Sequence, residues 1–340
     1  MIIQLQPNLG ESQKAELIAA IQAVGYKSNE VNTQFGHYLI AIGKKEVDPR
    51  RIGRLPGVKD VHLVSDAYQL VSRKWKVHPT EIDLGDGVRI GAEQFAFMAG
   101  PCSIENEAQI EAVLTHLQAQ GIRIMRGGVY KPRSSPYSFR GLGIEGLEMW
   151  AFMAREKGIK IITEVMQVSQ IEPMMPYVDI FQVGARNTQN FNLLDALGEV
   201  DKPVLLKRGI SGTLDELLHS AEYIFSGGNE RIMLCERGIR SYEKAYRNTM
   251  DINAIAMLKE KSHLPVIADP SHGIGLREFV EPVALASIMA GADGLIYETH
   301  PVPEKAFSDA QQTLSFYQSS ELMRKGKSLL QLQAQNFELA

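Results

Sequence analysis

Four residues of metal-binding type stand far apart in this 340-residue chain: Cys102, His272, Glu298 and Asp309. A thiolate, an imidazole and two carboxylates form a mixed soft and hard donor set that suits manganese, iron, cobalt or zinc. Magnesium is poorly served by sulfur. No linear ligand motif joins the four, so only a fold that gathers distant loops could bring them to one ion. Taken singly, a lone cysteine is more often a core residue, and Cys235, inside an apolar run, is read that way. A second set is cationic: Arg126, Lys131, Arg133, Arg186, Lys207 and Arg237. Surface salt bridging explains most single cations. Several of these, however, directly follow apolar runs, as in Ile124-Met125-Arg126, Leu205-Leu206-Lys207 and Leu234-Cys235-Glu236-Arg237. Arginine offers a planar fork for carboxylate and phosphate oxygens, and lysine a point charge. So many cations imply more than one anionic group, as two phosphorylated substrates would bring.

The elements that must position these residues follow one rhythm from Phe95 onward. Apolar runs of strand length occur at Phe95–Gly100, Ile122–Met125, Lys160–Val165, Ile180–Val183, Pro203–Leu206, Arg231–Cys235, Pro265–Ala268 and Gly294–Tyr297. Between them lie helical patterns, such as Ile110, Val113, Leu114 and Leu117 at i, i+3, i+4, i+7. The strands do not alternate polar with apolar, and Val204-Leu205-Leu206 and Val266-Ile267-Ala268 are continuous apolar runs, as in a parallel sheet covered on both faces. Eight such strands alternating with helices predict an α/β fold, a closed (β/α)8 TIM barrel, with an open doubly wound sheet as the alternative. No G-x-G-x-x-G follows the first strand, so a dinucleotide site has no support. Reactive groups of such barrels collect where each strand ends. Those positions hold Cys102, Arg126, Glu164, the Gly184-Ala185-Arg186 turn, Lys207, Arg237, His272 and Glu298, with Asp309 in the last loop.

The first 70 residues form a separate pattern: strand Ile2–Leu5, helix Glu11–Val24, strands Ser28–Thr33 and His37–Ile42, helix Asp48–Leu55 and strand Val58–Val64. This βαββαβ order matches a small α+β ferredoxin-like or ACT-type unit. It carries no cluster of chemically active residues, which leaves a stability or oligomerisation module and a regulatory ligand domain both open. Residues 71–80 read as a linker and 81–340 as the catalytic barrel, opened by a hairpin at Ile82–Ile90 whose Asp86-Gly87 suits a tight turn. A net charge of -4 with both signs interspersed gives no footprint for nucleic acid or an anionic membrane surface. Two cysteines in apolar settings, no leader-like N-terminus and no apolar run of spanning length predict a reduced, cytoplasmic protein.

Ala99-Gly100-Pro101-Cys102-Ser103, Lys131-Pro132-Arg133-Ser134, Gly184-Ala185-Arg186-Asn187, Asp269-Pro270-Ser271-His272 and Tyr297-Glu298 resemble 3-deoxy-D-arabino-heptulosonate 7-phosphate (DAHP) synthases. The subgroup they are most similar to is type Iβ with an N-terminal ferredoxin-like domain. The resemblance implies one divalent metal on Cys102, His272, Glu298 and Asp309. It implies phosphoenolpyruvate on Arg126, Lys131, Arg186, Lys207 and Arg237, helped by the Ala185 backbone. Arg133 and Ser134 would take the phosphate of erythrose 4-phosphate, with Pro132 and Asp309 near its aldehyde end. Lys131, Glu164 and His272 would serve the proton transfers. Ser134 stands where the family more often has threonine, and the hydroxyl is kept. The resemblance further implies a homotetramer and feedback by an aromatic amino acid at the small domain.

Two other readings remain at this point. The sister enzymes that make 3-deoxy-D-manno-octulosonate 8-phosphate from arabinose 5-phosphate typically carry Lys-Ala-Asn-Arg-Ser-Ser. This chain reads Lys131-Pro132-Arg133-Ser134-Ser135, one residue shorter, which favours the four-carbon sugar. A barrel that senses metabolites without catalysis should have lost a ligand or cation position, and none is lost.

Overall fold

The structure, a computed structural model, describes residues 1–43, 47–131, 137 and 139–334. Four strands open the chain: β1 Ile2–Leu5, β2 Lys27–Asn32, β3 His37–Ile42 and β4 Val58–His62. They form one antiparallel sheet in the order β2-β3-β1-β4, with helices Glu11–Ala23 and Pro49–Gly53 in the connections. Side chains alternate faces along a strand, and here both faces are apolar. Ile3, Leu5 and Leu39 pack with Leu17, Ile21 and Ile52 of the two helices. Ile2, Val31, Tyr38 and Ile40 point the other way and join the core of the larger unit.

That docking carries specific polar ties. Glu230, 2% exposed, accepts from Tyr38 Oη at 3.2 Å and from the Thr33 hydroxyl. Glu222 accepts the backbone N–H groups of Gln69, Leu70 and Val71 at 2.9–3.0 Å. Trp75 lies edge-on to Tyr38, Phe225 and His263, and so joins the small sheet to the barrel's outer layer.

A two-stranded hairpin follows, β5 Glu81–Asp83 with β6 Arg89–Gly91. Its turn runs Gly85-Asp86-Gly87 with all three at positive φ, a conformation Gly and Asp tolerate best. Ile82, Val88 and Ile90 pack against the inward side chains Met98, Ile124, Ile162 and Ile296, so the hairpin closes one end of the barrel.

The eight strands β7 Ala96–Gly100, β8 Ile124–Arg126, β9 Lys160–Val165, β10 Ile180–Val183, β11 Val204–Lys207, β12 Ile232–Glu236, β13 Val266–Ala268 and β14 Gly294–Glu298 form a closed, parallel barrel. Closure is made by β14 against β7, from Gly294 opposite Ala96 to Glu298 opposite Gly100. Helices alternate with the strands, and several start on side-chain caps. Asn106 caps Glu107–Gln120, and Thr213 with Glu216 makes a capping box for Leu214–Ser226. One expected helix is nearly absent: after β9 stand only a 3-10 turn, Val168–Gln170, and the short helix Ile171–Met174. Pro173 sits in its first turn, where proline is tolerated, and Pro176 lacks the N–H that would carry the hydrogen-bond ladder on, so the helix stops there. Among the described residues, no helix is long and apolar enough to cross a membrane.

Candidate active site

The C-terminal ends of the barrel strands converge on a cavity of about 230 Å³. Strand β8 ends in Arg126, β11 in Lys207 and β14 in Glu298, each at most 4% exposed. Burying such groups is costly unless each is paired. The pairs are present: Arg126 Nη1 donates to the Pro101 carbonyl at 2.8 Å and to Glu298 Oε1 at 3.2 Å. Lys207 Nζ donates to Asp269 Oδ2. Arg126 Nε keeps no hydrogen-bond partner among the described residues, leaving one buried donor for a ligand.

Cys102, two residues past β7, sits under the same mouth. Its thiol lies 3.2 Å from Asp309 Oδ2, and Lys131 Nζ stands 3.0 Å from both its sulfur and its carbonyl oxygen. Donor atoms of Cys102, Glu298 and Asp309 all lie within 4.8 Å of one another, a spacing that can hold one ion. His272 comes from the short helix Pro270–Ile274, capped by Asp269. Its Nε2 is 3.6 Å from Glu298 Oε1 and 3.8 Å from Asp309 Oδ2, just outside that tight group. Its Nδ1 lies 2.8 Å from Asp269 Oδ2, off the angle of a good hydrogen bond.

The electrostatics follow from burial and neighbours. Burial, with the charge of Glu298, pushes the Cys102 thiol up to about 12, so a cation must displace its proton before sulfur can bind. Burial opposes ionisation of Asp309 too, but the charges of His272, Arg247 and Lys131 outweigh it and hold the carboxyl down at about 2. Asp269 is held well below the usual carboxylate range, its burial overridden by His272 and Lys207. Burial pushes the His272 imidazole down, toward the neutral form that ligates metals.

Of the residues expected from the sequence, Arg126, Lys131, Glu164, Ala185, Arg186, Lys207, Arg237, His272 and Asp309 line the cavity. Cys102 and Glu298 lie beside it, tied to Asp309 and Arg126. Glu164 packs so closely on Gly184 that a β-carbon there would fall 2.1 Å from its Oε1, which explains the glycine. Pro132, Arg133 and Ser134 lie outside the described residues. Sequence reasoning missed Asp269 as the buried partner of Lys207 and His272, and it missed Arg240, Arg247, Asn248 and Gln312. For the first three of these latter four, a signal was available. Residues 237–251 form neither helix nor strand, which is long for a βα connection, and long loops at a barrel mouth carry function.

Comparison with known proteins agrees with this geometry. Residues 75–334 match the model of the DAHP synthetase I family. The chain is 43% identical over 330 residues to a phospho-2-dehydro-3-deoxyheptonate aldolase of Thermotoga maritima, covering 97% of each protein. A crystal structure of that DAHP synthase superposes with a TM-score of 0.78 at 42% identity, over 98% of this chain and 97% of that one. A more distant relative is a 2-dehydro-3-deoxyphosphooctonate aldolase of Acidithiobacillus ferrooxidans, 32% identical over 249 residues, 68% of this chain and 87% of the relative. On the family model and the near full-length identity together, the chain belongs to the DAHP synthetase I family.

Proposed function

We propose that this protein is a 3-deoxy-7-phosphoheptulonate synthase, joining phosphoenolpyruvate, D-erythrose 4-phosphate and water to give DAHP and phosphate, the first step of the shikimate pathway. The observation that carries the reading is the sulfur and two carboxylates gathered within 4.8 Å beside a cavity lined by arginine and lysine. The octulosonate relatives match less of the chain and at lower identity, and they do not favour the five-carbon acceptor.

The donor set fits a divalent transition metal, because thiol, imidazole and two carboxylates already lie close together. Cys102, His272, Glu298 and Asp309 would hold it, with manganese, iron, cobalt or zinc as the matching ions. When bound, such an ion supplies Lewis acidity toward an aldehyde oxygen, a contribution of several kcal/mol. The protein's own groups do the rest. Arg126, Lys131, Arg186, Lys207 and Arg237, with the Ala185 backbone, hold the phosphate and carboxylate of phosphoenolpyruvate. Arg133 and Ser134 take the sugar phosphate, and Pro132 and Asp309 border its aldehyde. Two mutually repelling anions are thereby fixed so that carbon 3 of the enol phosphate meets the aldehyde carbon. Water adds at carbon 2, and the phosphohemiketal releases phosphate by C–O cleavage. Lys131, Glu164 and His272 handle the protons, with burial and neighbouring charge setting the states of Lys131 and His272.

Residues 1–70 serve as the regulatory domain, 71–80 as its linker and 81–340 as the catalytic unit, with an aromatic amino acid as effector and a homotetramer as the assembly. The direct docking of the small sheet on the barrel through Tyr38 and Glu230 supports a coupling between the two units, as a regulatory role needs. Phosphate release from phosphoenolpyruvate with erythrose 4-phosphate tests the activity, and arabinose 5-phosphate in its place tests the acceptor. Release only with the five-carbon sugar, or with neither, would overturn the proposal.

A further inference from the structure

We infer that Gln312 and Arg247 form a clamp that sets which oxygen of Glu298 and of Asp309 faces the metal, and so tunes metal affinity. The inference deepens the metal-centre reading and rests on it. Gln312 is 1% exposed, and both ends of its amide are engaged. Nε2 donates to Glu298 Oε2 at 2.7 Å, and Oε1 accepts from Arg247 Nη1 at 2.7 Å. The orientation is forced, since a guanidinium can only donate, so the amide oxygen must face Arg247 and the amide nitrogen Glu298. Arg247 Nη1 also donates to Asp309 Oδ1 at 3.2 Å.

Each carboxylate thus has one oxygen held by the clamp, Oε2 of Glu298 and Oδ1 of Asp309, while Glu298 Oε1 accepts only the longer contact from Arg126 Nη1 at 3.2 Å. The other oxygens, Glu298 Oε1 and Asp309 Oδ2, are the ones near His272 Nε2, and Asp309 Oδ2 is also the one near the Cys102 sulfur. Partners placed behind metal-binding carboxylates fix their orientation before the ion arrives.

Backbone geometry ties clamp and ligand into one unit. Asp309 has φ +52°, and its carbonyl accepts from Gln312 N at 3.1 Å and Thr313 Oγ1 at 2.9 Å. Leu314 N then donates to the Glu298 carbonyl at 2.9 Å, pinning the turn to β14. Asn248, beside Arg247, steadies a third ligand, its Nδ2 donating to the His272 carbonyl at 2.9 Å. Three of the four candidate ligands are therefore held from the 247–248 and 312 positions.

The test uses the full-length protein stripped of metal and titrated with Mn2+ or Co2+ against a chromophoric chelator. Gln312→Met keeps the volume and removes both contacts. It is expected to weaken metal binding by about 10- to 100-fold and to shift the visible absorption of the Co2+ form. Arg247→Met, whose side chain is 41% exposed and tolerant of change, should weaken binding as well, with Arg247→Lys recovering part of the loss. It carries the test if Gln312→Met does not fold. Wild-type affinity and an unchanged Co2+ spectrum in the folded variants would overturn the clamp alone. A wild-type protein that takes up neither ion would overturn the metal centre and the clamp together.

Discussion

The Cys102 sulfur lies 3.2 Å from Asp309 Oδ2, across 207 residues of chain. Cys102 follows the first barrel strand and Asp309 follows the last, and these strands are neighbours only because the barrel closes. The pairing is thus a consequence of closure, and the chemistry proposed for it depends on the same hydrogen bonds.

Removing the sulfur or the imidazole should end metal-dependent turnover with the fold retained. Cys102→Ala and His272→Ala are each expected to lower the rate of phosphate release by roughly 100-fold or more, the equivalent of about 3 kcal/mol of lost electrostatic stabilisation. Far-ultraviolet circular dichroism should match wild type. Full activity after exhaustive chelation would count against the metal role.

Lys131→Met should cripple the reaction at ordinary substrate levels, because its ammonium stands 3.0 Å from the Cys102 sulfur and borders the cavity. Burial opposes its charge, but Cys102 and nearby acids more than offset that and raise its hold on the proton. Steady-state kinetics with both substrates varied would show it; normal turnover would remove Lys131 from the site.

Gly184→Ala would press a methyl group onto the Glu164 carboxylate, 2.1 Å from Oε1 before any relaxation. Overpacking of this kind typically costs about 1–3 kcal/mol. Turnover should fall as Glu164 is displaced, and a variant with wild-type kcat and KM would show that the Glu164 position is immaterial.

Acid should loosen the joint between linker and barrel through His263. Its ring is 2% exposed, with Nδ1 2.7 Å from Thr80 Oγ1 and Nε2 2.8 Å from the Leu70 carbonyl. Burial lowers its folded pKa from 6.5 to about 3. Between those values the unfolded chain binds the extra proton, so stability is present above pH 6.5 and declines as pH falls toward 3. At pH 5 the loss is about 2 kcal/mol. Urea unfolding at pH 7 and pH 5 should reveal this decline in wild type and a smaller one in His263→Gln; equal declines would refute it.

If the small domain is regulatory, deleting residues 1–70 should preserve condensation while abolishing inhibition by tyrosine or phenylalanine. Assays of both proteins with and without each amino acid decide it. Inhibition that survives the deletion would refute the assignment.

Much of the architecture was readable from apolar patterning. Lys160–Val165 and Ile180–Val183 stand where the sequence places them, and the first unit has the expected βαββαβ succession of elements. The systematic error was at strand ends. The pattern stopped at Met125, Leu206, Cys235 and Tyr297, whereas the strands run on into Arg126, Lys207, Glu236 and Glu298. Hydrophobicity cannot signal a charged residue that is buried because a distant residue neutralises it, as Asp269 does for Lys207 and Arg208 for Glu236.

What was written along the chain was therefore local. Alternation of apolar runs and helical faces implied the barrel, and the types of residue at strand ends implied anion and metal chemistry. What only the folded molecule decided was pairwise and long-range: Gln312 on Glu298, Arg247 on Asp309, Glu230 under Tyr38. Such contacts depend on barrel closure and on how the loops turn, and local patterning does not reveal which residues will meet even when, as for Gln312 and Glu298, they stand 14 positions apart.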